Sequence, residues 1–222
     1  IISVDWYQPL DYTSRYFIEP RAAHLRRTYN MYSADGDRLA EYRVTANQLE
    51  LGIGREVDVY GEARLGYRWR SGDIDREVGE AVLREGRFES GTVFGRLWVD
   101  RLNNAYFPTR GYAGKLEYAL FRKEFGNDAD LDQLQASVSR FHTVGAHTFG
   151  LGAQLNTTLE GAAAVQDRFR LGGFLHLSGY NQDAISGQHS ALLIATYYRR
   201  YARLRLLPWY VGASLEYGNV WE

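Results

Sequence analysis

Residues 56–70 read EVDVYGEARLGYRWR, and the character of the side chain changes at every second position. The odd-numbered positions from Val57 to Trp69 carry no charge, whereas six of the eight even-numbered positions from Glu56 to Arg70 are charged. Because side chains on a strand point alternately to opposite sides, the stretch predicts a strand with one apolar and one charged face. Its 15 residues exceed the usual globular strand and suffice to cross a membrane, for which a tilted strand needs about 9–11 residues.

The same two-residue period recurs along the chain, for example in residues 112–120, 148–160 and 209–218. Each of these stretches alternates apolar or aromatic side chains with small, polar or charged ones, as a strand between lipid and water requires. The period predicts ten strands in all, at residues 1–8, 16–28, 39–53, 56–70, 88–100, 111–123, 131–141, 147–160, 190–201 and 209–221.

The connections between the predicted strands are alternately short and long. Short periplasmic turns and long extracellular loops are typical of outer-membrane barrels, whereas a soluble sandwich or lipocalin-like barrel has no reason for this asymmetry. We therefore predict an all-β fold, a transmembrane antiparallel up-and-down β-barrel, in the bacterial outer membrane. The short connections are 9–15, 54–55, 101–110, 142–146 and 202–208, and the long ones are 29–38, 71–87, 124–130 and 161–189.

The composition excludes several other kinds of protein. With 26 basic and 27 acidic residues, the formal net charge of −1 lacks the basic excess of a nucleic-acid-binding protein. The chain has no cysteine, which excludes disulfides, thiolate metal sites and a cysteine nucleophile. It also has no run of about 20 predominantly apolar residues, which a membrane-spanning helix would need.

The sequence contains no motif of an enzyme or a metal site. A patatin-type hydrolase needs Gly-x-Ser-x-Gly, which is absent, and the adjacent His189 and Ser190 would point to opposite faces of a strand. The acidic 71–87 connection is an alternative site for a divalent cation, although a solvated loop is the simpler interpretation. We predict no catalytic residue, no metal and no cofactor, because the five histidines are scattered along the chain: His24, His142, His147, His176 and His189.

One short connection has a sequence of its own, DRLNNAYFPTRGY at residues 100–112. Pro108 fixes its backbone angle and Gly111 permits an unusual one, which is typical of a turn. The string resembles the Asp-x-x-Asp-Asn…Phe-Pro-x-x-Gly turn of the bacterial surface antigen superfamily, which contains outer-membrane assembly factors and two-partner secretion transporters. The residues that match are Asp100, Asn103, Asn104, Pro108 and Gly111, with Asn103 where the pattern has its second aspartate.

The longest connection contains a second resemblance, RFRLGGFLHLSGY at residues 168–180. In the same superfamily, a Gly-Gly-Phe…Arg-Gly-Tyr segment lies in an extracellular loop that folds back into the barrel lumen. The resemblance implies a re-entrant loop here, with Phe174 and Tyr180 as its anchors and with Ser178 in place of the usual arginine. The matching residues are Arg168, Arg170, Gly172, Gly173, Phe174, Ser178, Gly179 and Tyr180.

A third resemblance lies near the end of the chain, where residues 215–221 read LEYGNVW. They are similar to the family's Phe-x-Asp-x-Gly-x-Val-Trp strand, whose acidic residue faces the lumen and meets the loop arginine. Alternation independently places Glu216 on the polar face, so Glu216 is the expected lumen partner of the loop. With Ser178 opposite, the usual arginine–carboxylate pair cannot form, and Arg168 and Arg170 are the alternative partners.

The resemblance also has implications for the whole protein. The family barrel has sixteen strands with the re-entrant loop after its eleventh, so residues 1–222 are expected to be one barrel domain, a fragment without the strands at either end. The Ser-Gly-Tyr variant and the Tyr-Tyr-Arg-Arg string at residues 197–200 most resemble the patatin-like type V (type Vd) autotransporters, which fuse a secreted lipid hydrolase to such a barrel.

The function implied is a translocator that anchors and secretes an attached polypeptide passenger, a patatin-like phospholipase upstream, without being an enzyme itself. Its expected partners are outer-membrane lipids and the passenger, and a homodimer stays open as an alternative. An assembly factor or a two-partner secretion transporter is the nearest alternative. A passive pore and a barrel-embedded lipid hydrolase are alternatives of another class, although mixed lumen charge such as Glu62 beside Arg64 argues against a strongly ion-selective pore.

Overall fold

The structure is a computed structural model that describes residues 1–32, 38–79, 85–201 and 209–222. Three single turns of 3-10 helix lie between its strands, at Asp58–Tyr60, Lys123–Phe125 and Val165–Asp167. The strands are β1 (Ile2–Asp5), β2 (Gln8–Pro9), β3 (Tyr16–Tyr32), β4 (Arg38–Glu56), β5 (Gly61–Gly79), β6 (Gly86–Asp100), β7 (Gly111–Phe121), β8 (Leu131–Val144), β9 (His147–Glu160), β10 (Phe169–Leu171), β11 (Ile185–Gly187), β12 (His189–Tyr201) and β13 (Trp209–Trp221).

Nearly all of these strands belong to one antiparallel sheet. Its order is β1-β3-β4-β5-β6-β7-β8-β9-β12-β13, with β2 paired to β3, so neighbours in the chain are neighbours in the sheet. Strands β10 and β11 form a separate two-stranded hairpin inside the connection from β9 to β12. The prediction of an all-β, antiparallel up-and-down fold is thereby confirmed.

Both ends of the strand predicted at residues 56–70 were wrong. The stretch 56–70 is not one strand, because β4 ends at Glu56 and the chain turns at 57–60 before β5 begins at Gly61. Val57 and Val59 therefore lie in a turn, where their alternation with polar residues arose by coincidence. In the other direction β5 continues to Gly79.

Much of the predicted 29–38 and 71–87 loops is therefore strand. The physical reason is that strands that project beyond the bilayer have water on both sides, so the contrast between their two faces disappears. Several of the acidic residues expected in a solvated 71–87 loop form ion pairs. Asp73 pairs with Arg87 and Glu77 with Arg43, while Glu80 and the 202–208 connection lie outside the described residues. Among the described residues, no group of three or more potential ligands could hold a metal ion.

The two faces of the sheet are the reverse of those in a soluble protein. Leucines on the outer face are open, with Leu65 66% and Leu215 76% exposed, while carboxylates on the inner face are buried, with Glu50 7% and Glu117 3% exposed. A soluble sandwich would bury the leucines and expose the carboxylates, so the alternation of polar and apolar residues fits lipid outside and a polar lumen inside. Within the described residues no helix is long and apolar enough to cross a membrane.

Glycines on the inner face make room for aromatic rings from neighbouring strands. An added Cβ at Gly66 on β5 would lie 2.6 Å from Cζ of Phe94 on β6, so only glycine lets that ring lie flat on the wall. Gly54 holds the ring of Phe17 in the same way. At both positions the glycine leaves room for a ring that packs against the inner wall.

Candidate functional site

The candidate site is the lumen, and one part of its wall is a network of opposite charges. Arg68 donates from Nε to Oε2 of Glu50 at 2.7 Å and lies 3.6 Å from Oε1 of Glu117. Arg96 binds Oε2 of Glu117 at 2.8 Å, and Lys115 lies 3.0 Å from the same oxygen. A buried carboxylate of this kind is stable only with such partners, because desolvation of an unpaired charge is costly.

Aromatic stacking and further ion pairs extend this wall. The guanidinium groups of Arg68 and Arg96 lie 4.7 and 5.0 Å from the ring centroid of Phe94, which is almost fully buried. Nearer the short turns, Arg64 binds both oxygens of Glu19 at 2.9 and 3.0 Å and also binds Glu62 at 3.0 Å. Charges of both signs are paired along the wall, so it offers no uniform field to select ions of one sign.

The connection from β9 to β12, residues 161–188, enters this lumen and is held at its base by polar contacts. Gln188 forms two hydrogen bonds with the backbone of Ala163, at 2.8 and 3.1 Å. Arg70 on β5 binds Asp167 at 2.6 Å, and Gln133 on β8 donates to the carbonyl of Asp167 at 2.9 Å. Because Arg70 and Gln133 both lie on the inner face, the loop is inside the sheet's curvature.

Beyond the β10–β11 hairpin, the tip of the loop is a compact turn. Gly172 and Gly173 have φ angles of +127° and +103°, which favour glycine. The N–H of Gly172 donates to the carbonyl of His176 at 2.6 Å, and that of Gly173 to Tyr180 at 3.1 Å. These two hydrogen bonds make the tip a closed turn. Leu177 and Ser178, which follow in the same turn, face β13.

The carboxylate of Glu216 on β13 accepts hydrogen bonds from the loop tip. The backbone N–H groups of Leu177 and Ser178 both donate to Oε2 at 2.8 Å. The hydroxyl of Ser178 lies 2.8 Å from Oε1 and 3.1 Å from Oε2, and Ser214 donates to Oε1 at 2.8 Å. The structure thus brings Ser178 and Glu216 together, with hydroxyl and backbone donors where the family pattern has a guanidinium.

Apolar contacts of the tip come from different residues than the sequence suggested. Leu171 and Leu177 are buried against Leu192 on β12, with Ile185, Ile194 and Val220 packed around them. Phe174 is 84% and Tyr180 55% exposed, so the prediction that these two rings anchor the loop was wrong. Leu177 has a positive φ of +74° and its side chain packs against the wall, whereas the two rings stay on the open side.

The two loop arginines bind elsewhere and do not replace the missing one at 178. Arg168 forms an ion pair with Glu222 at 2.6 Å. Arg170 lies over the ring of Tyr29 on β3, with its guanidinium carbon 4.5 Å from the centroid. Burial lowers the pKa of Arg170, although a guanidinium remains charged near neutral pH. Through these contacts the loop reaches both β3 and the end of β13.

The 101–110 turn, at the opposite end of the lumen, is closed by its asparagines. Asp100 accepts from the N–H of Leu102 at 2.8 Å. The side-chain oxygen of Asn103 accepts from the N–H groups of residues 109 and 110 at 2.9 and 3.0 Å. Asn104 accepts from residues 106 and 107, both at 2.9 Å. Gly111 ends the turn with φ +108°, where an added Cβ would overlap a backbone carbonyl.

Comparison with models of protein families gives a match over most of the chain. Residues 4–204 match the model described as Omp85 superfamily domain. The chain belongs to the Omp85 superfamily. It is therefore a bacterial outer-membrane β-barrel protein, as the resemblance to the surface antigen superfamily predicted.

Solved structures show the same fold for this Omp85 chain. One match is "The crystal structure of BamA from Haemophilus ducreyi lacking POTRA domains 1-3", with a TM-score of 0.66 and 13% identity. The alignment covers 97% of this chain and 49% of that one, so the chain spans about half the length of the structure that it matches. A comparison with curated protein sequences found no match.

The hypothesis of a Ser–His pair in this Omp85 barrel is not supported by the geometry. Ser190 is buried on the inner face and bonds with Asn156 at 2.9 Å. The ring of His189 contacts Thr157 at 2.7 Å and stacks on Trp221 at a centroid distance of 5.6 Å. The two side chains point to opposite faces and so cannot exchange a proton directly.

Sequence reasoning missed several residues that hold the Omp85 loop in place. Asp167 and Arg70 are 97 positions apart, and nothing in a single sequence relates them. Leu171 and Leu177 could have been noticed as apolar residues inside a polar loop. Tyr198 belongs to the Tyr-Tyr-Arg-Arg string at 197–200. The two-residue period places it on the lumen face of its strand, and this signal could have marked it as a residue that contacts the lumen.

Proposed function

We propose that this chain is the barrel of an outer-membrane translocator that anchors and secretes an attached polypeptide, and that its re-entrant loop moves during transport. The proposal rests on one observation, which is that the loop tip is bound to the carboxylate of Glu216 by hydrogen bonds. The tip is held on β12 and β13 by hydrogen bonds to one carboxylate and by a small apolar cluster, whereas the wall formed by β4 to β7 is held by several ion pairs.

The serine at position 178 is an argument that the loop can move. A bidentate guanidinium–carboxylate pair is among the strongest polar contacts in proteins, and a hydroxyl with two backbone N–H groups is a weaker substitute. The loop of this chain is therefore easier to release than one with arginine at position 178. An extended polypeptide that enters the lumen would displace the tip from Glu216 without breaking the charge network of the wall.

The proposed passenger is a patatin-like phospholipase domain attached upstream, as in the type V autotransporters. The support for it is the Ser-Gly-Tyr string at 178–180 and the Tyr-Tyr-Arg-Arg string at 197–200. Residues 1–222 would then be one barrel domain, part of a sixteen-stranded barrel in contact with outer-membrane lipids. No catalytic role is proposed for this segment itself.

An assembly factor is the second candidate function. It is supported by the fold shared with BamA over 97% of this chain. A two-partner secretion transporter would share the same barrel. The candidates differ in cargo: a translocator of the proposed kind secretes a domain of its own chain, whereas the other two act on separate polypeptides.

A reversible cross-link tests the proposal. Residues 1–222 contain no native cysteine, so Ser178→Cys with Glu216→Cys introduces one defined cysteine pair into this domain of the full-length protein. We expect oxidised cells to stop displaying the passenger at the surface, as measured by protease access, and reduced cells to resume display. The matched control is Thr196→Cys with Ser214→Cys, which joins register partners on β12 and β13 and leaves the loop free.

Two results would count against the proposal. Undiminished display with the 178–216 disulfide fully formed would show that the loop does not need to move. Surface display of an unrelated outer-membrane protein that depends on this chain, without any secreted passenger domain, would favour the assembly factor.

A further inference from the structure

The 101–110 turn does not project into water but folds back across the lumen at the end with the short turns. The carbonyl of Thr109 accepts a hydrogen bond from Thr143 on β8 at 2.6 Å. The hydroxyl of Tyr198 on β12 donates to the carbonyl of Pro108. Both partners belong to the inner face, so the turn lies inside the mouth of the lumen.

The far end of the turn rests on an aromatic stack. The ring of Phe107 lies parallel to that of Tyr210 on β13, with centroids 4.4 Å apart and an interplanar angle of 4°. Tyr198 meets both rings edge-on, at 6.0 Å from Phe107 and 5.8 Å from Tyr210. Gly212 is the register partner of Tyr198, and an added Cβ there would lie 2.7 Å from Tyr198 Cβ, so glycine makes room for the cluster.

The position of this cluster in the sheet shows how far the turn reaches. The turn joins β6 to β7, whereas Tyr210 lies on β13, four strands further along the sheet order from β7. Neighbouring strands are about 4.8 Å apart, so the turn bridges roughly 19 Å of curved wall. A segment that joins such separate parts of the inner face must cross the opening between them.

The internal bonds of the turn make it a rigid arm with a weak far contact. Asn103 and Asn104 together accept four backbone N–H groups within the turn. The contacts described above between the turn and β12 and β13 are the stack on Tyr210, the edge-on contact with Tyr198 and the hydrogen bond from Tyr198. The arm can therefore leave β12 and β13 as a unit while its own hydrogen bonds stay intact.

We propose that the 101–110 turn is a second closure of the lumen, a latch at the periplasmic mouth that Phe107, Tyr198 and Tyr210 hold shut. Strands β12 and β13 carry both closures. Leu192 and Glu216 hold the loop tip. Tyr198 and Tyr210 hold the latch. Tyr210 and Glu216 are six residues apart on β13, roughly 20 Å along the strand. A polypeptide entering from the periplasm meets the latch before it meets the loop.

Ion conductance of full-length protein in planar bilayers tests the latch without any passenger, so its result is independent of the proposed secretion function. We expect Phe107→Ala to raise the frequency of open events severalfold, because the stack is lost. Tyr198→Phe, which keeps the ring and removes only the hydrogen bond to Pro108, should give a smaller increase. Tyr106→Ala is the control, since Tyr106 is 89% exposed and is not part of the cluster.

A locked latch gives the opposite result. Phe107→Cys with Tyr210→Cys should close the latch under oxidation, lower the open frequency to or below that of the wild type, and release it on reduction. Resistance of the folded barrel to detergent unfolding shows for every variant that the fold is intact. Equal open frequencies in folded Phe107→Ala, the locked pair and wild type would overturn the proposal, because the turn would then be a structural connection only.

Discussion

Ser178 binds the carboxylate of Glu216 through both its backbone N–H and its hydroxyl, each at 2.8 Å, and the N–H of the preceding Leu177 donates to the same carboxylate at 2.8 Å. Two of these donors belong to the backbone, so the contact depends on the shape of the loop tip as much as on the identity of residue 178. A carboxylate that loses such donors in a half-buried position must regain water or another partner.

The first prediction concerns Glu216. Glu216→Ala removes the acceptor of the two N–H groups and the hydroxyl by which the tip binds β13 and should free the loop, whereas Glu216→Gln keeps one oxygen and should be milder. Hydrogen bonds to charged groups contribute about 1.5–3 kcal/mol each, so the alanine variant should expose the loop arginines to trypsin in the folded barrel. Ser214→Ala, which removes a single neighbouring donor, is the control. Equal protection of the loop in all three variants would falsify the anchoring role of Glu216.

A second prediction restores the family residue. In Ser178→Arg a guanidinium can pair with both oxygens of Glu216, which is stronger than a hydroxyl contact. We expect slower release of the loop, seen as reduced trypsin cleavage and slower secretion of the passenger. Ser178→Ala should shift both in the other direction. If Ser178→Arg secretes faster than wild type, the idea that this loop is held more loosely than its relatives is wrong.

The third prediction separates the two faces of one strand. Leu155→Arg places a charge on the outer face and should destabilise the inserted barrel by about 2–4 kcal/mol near the bilayer midplane. Leu65→Arg should act in the same direction. The adjacent Gln154→Arg, which faces the lumen, should cost much less. The measurement is the urea midpoint of the barrel in lipid vesicles, and equal midpoints for Leu155→Arg and Gln154→Arg would contradict the lipid-facing assignment.

A fourth prediction concerns the glycine beneath Phe94. Gly66→Ala would push its Cβ into the ring of Phe94, which lies between two guanidinium groups, and overpacking of this kind costs about 1–3 kcal/mol. Gly95→Ala is the matched control, because its Cβ would meet only Leu65 Cδ2 at 3.4 Å. Thermal unfolding in detergent compares the two. A larger loss for Gly95→Ala would show that the ring does not constrain the wall.

The fifth prediction tests the charge network. Glu117→Gln leaves the Arg96 side chain, which is largely buried, without its carboxylate, and breaking a buried pair costs about 3–5 kcal/mol. The loss should persist at high salt, because buried pairs are poorly screened. Asp73→Asn removes an exposed pair with Arg87 and should have little effect. Salt-sensitive stability in Glu117→Gln would place this network in contact with bulk solvent.

Much of the fold was predicted from alternation alone. The lipid and lumen faces of β5, β9 and β13 follow from the two-residue period, because a strand between lipid and water has different solvents on its two sides. The same period failed at 57–60 and beyond residue 70. In the turn the alternation was accidental, and beyond the bilayer both faces meet water, so no contrast remained in the sequence.

Family motifs identified the elements of the site but not all of its contacts. The strings at 100–112, 168–180 and 215–221 indicated the turn, the loop and the acidic wall residue. They suggested Phe174 and Tyr180 as anchors, whereas Leu171 and Leu177 are buried. Which side chain of a turn reaches the wall depends on backbone angles, and the positive φ angles of Leu175 and Leu177 are not encoded by a sequence pattern.

Periodicity and short motifs are enough to specify the fold class, the two faces of the strands and the membership of the superfamily, and all three can be read from the amino-acid sequence. The contacts between distant residues follow from the folded sheet instead: Leu177 and Ser178 of the tip with Glu216, Arg70 with Asp167, and Phe107 with Tyr210. These contacts join residues that are 38 or 39, 97 and 103 positions apart. Contacts at such separations arise when the sheet curves around its lumen, so the curvature, and not any local preference, brings them together.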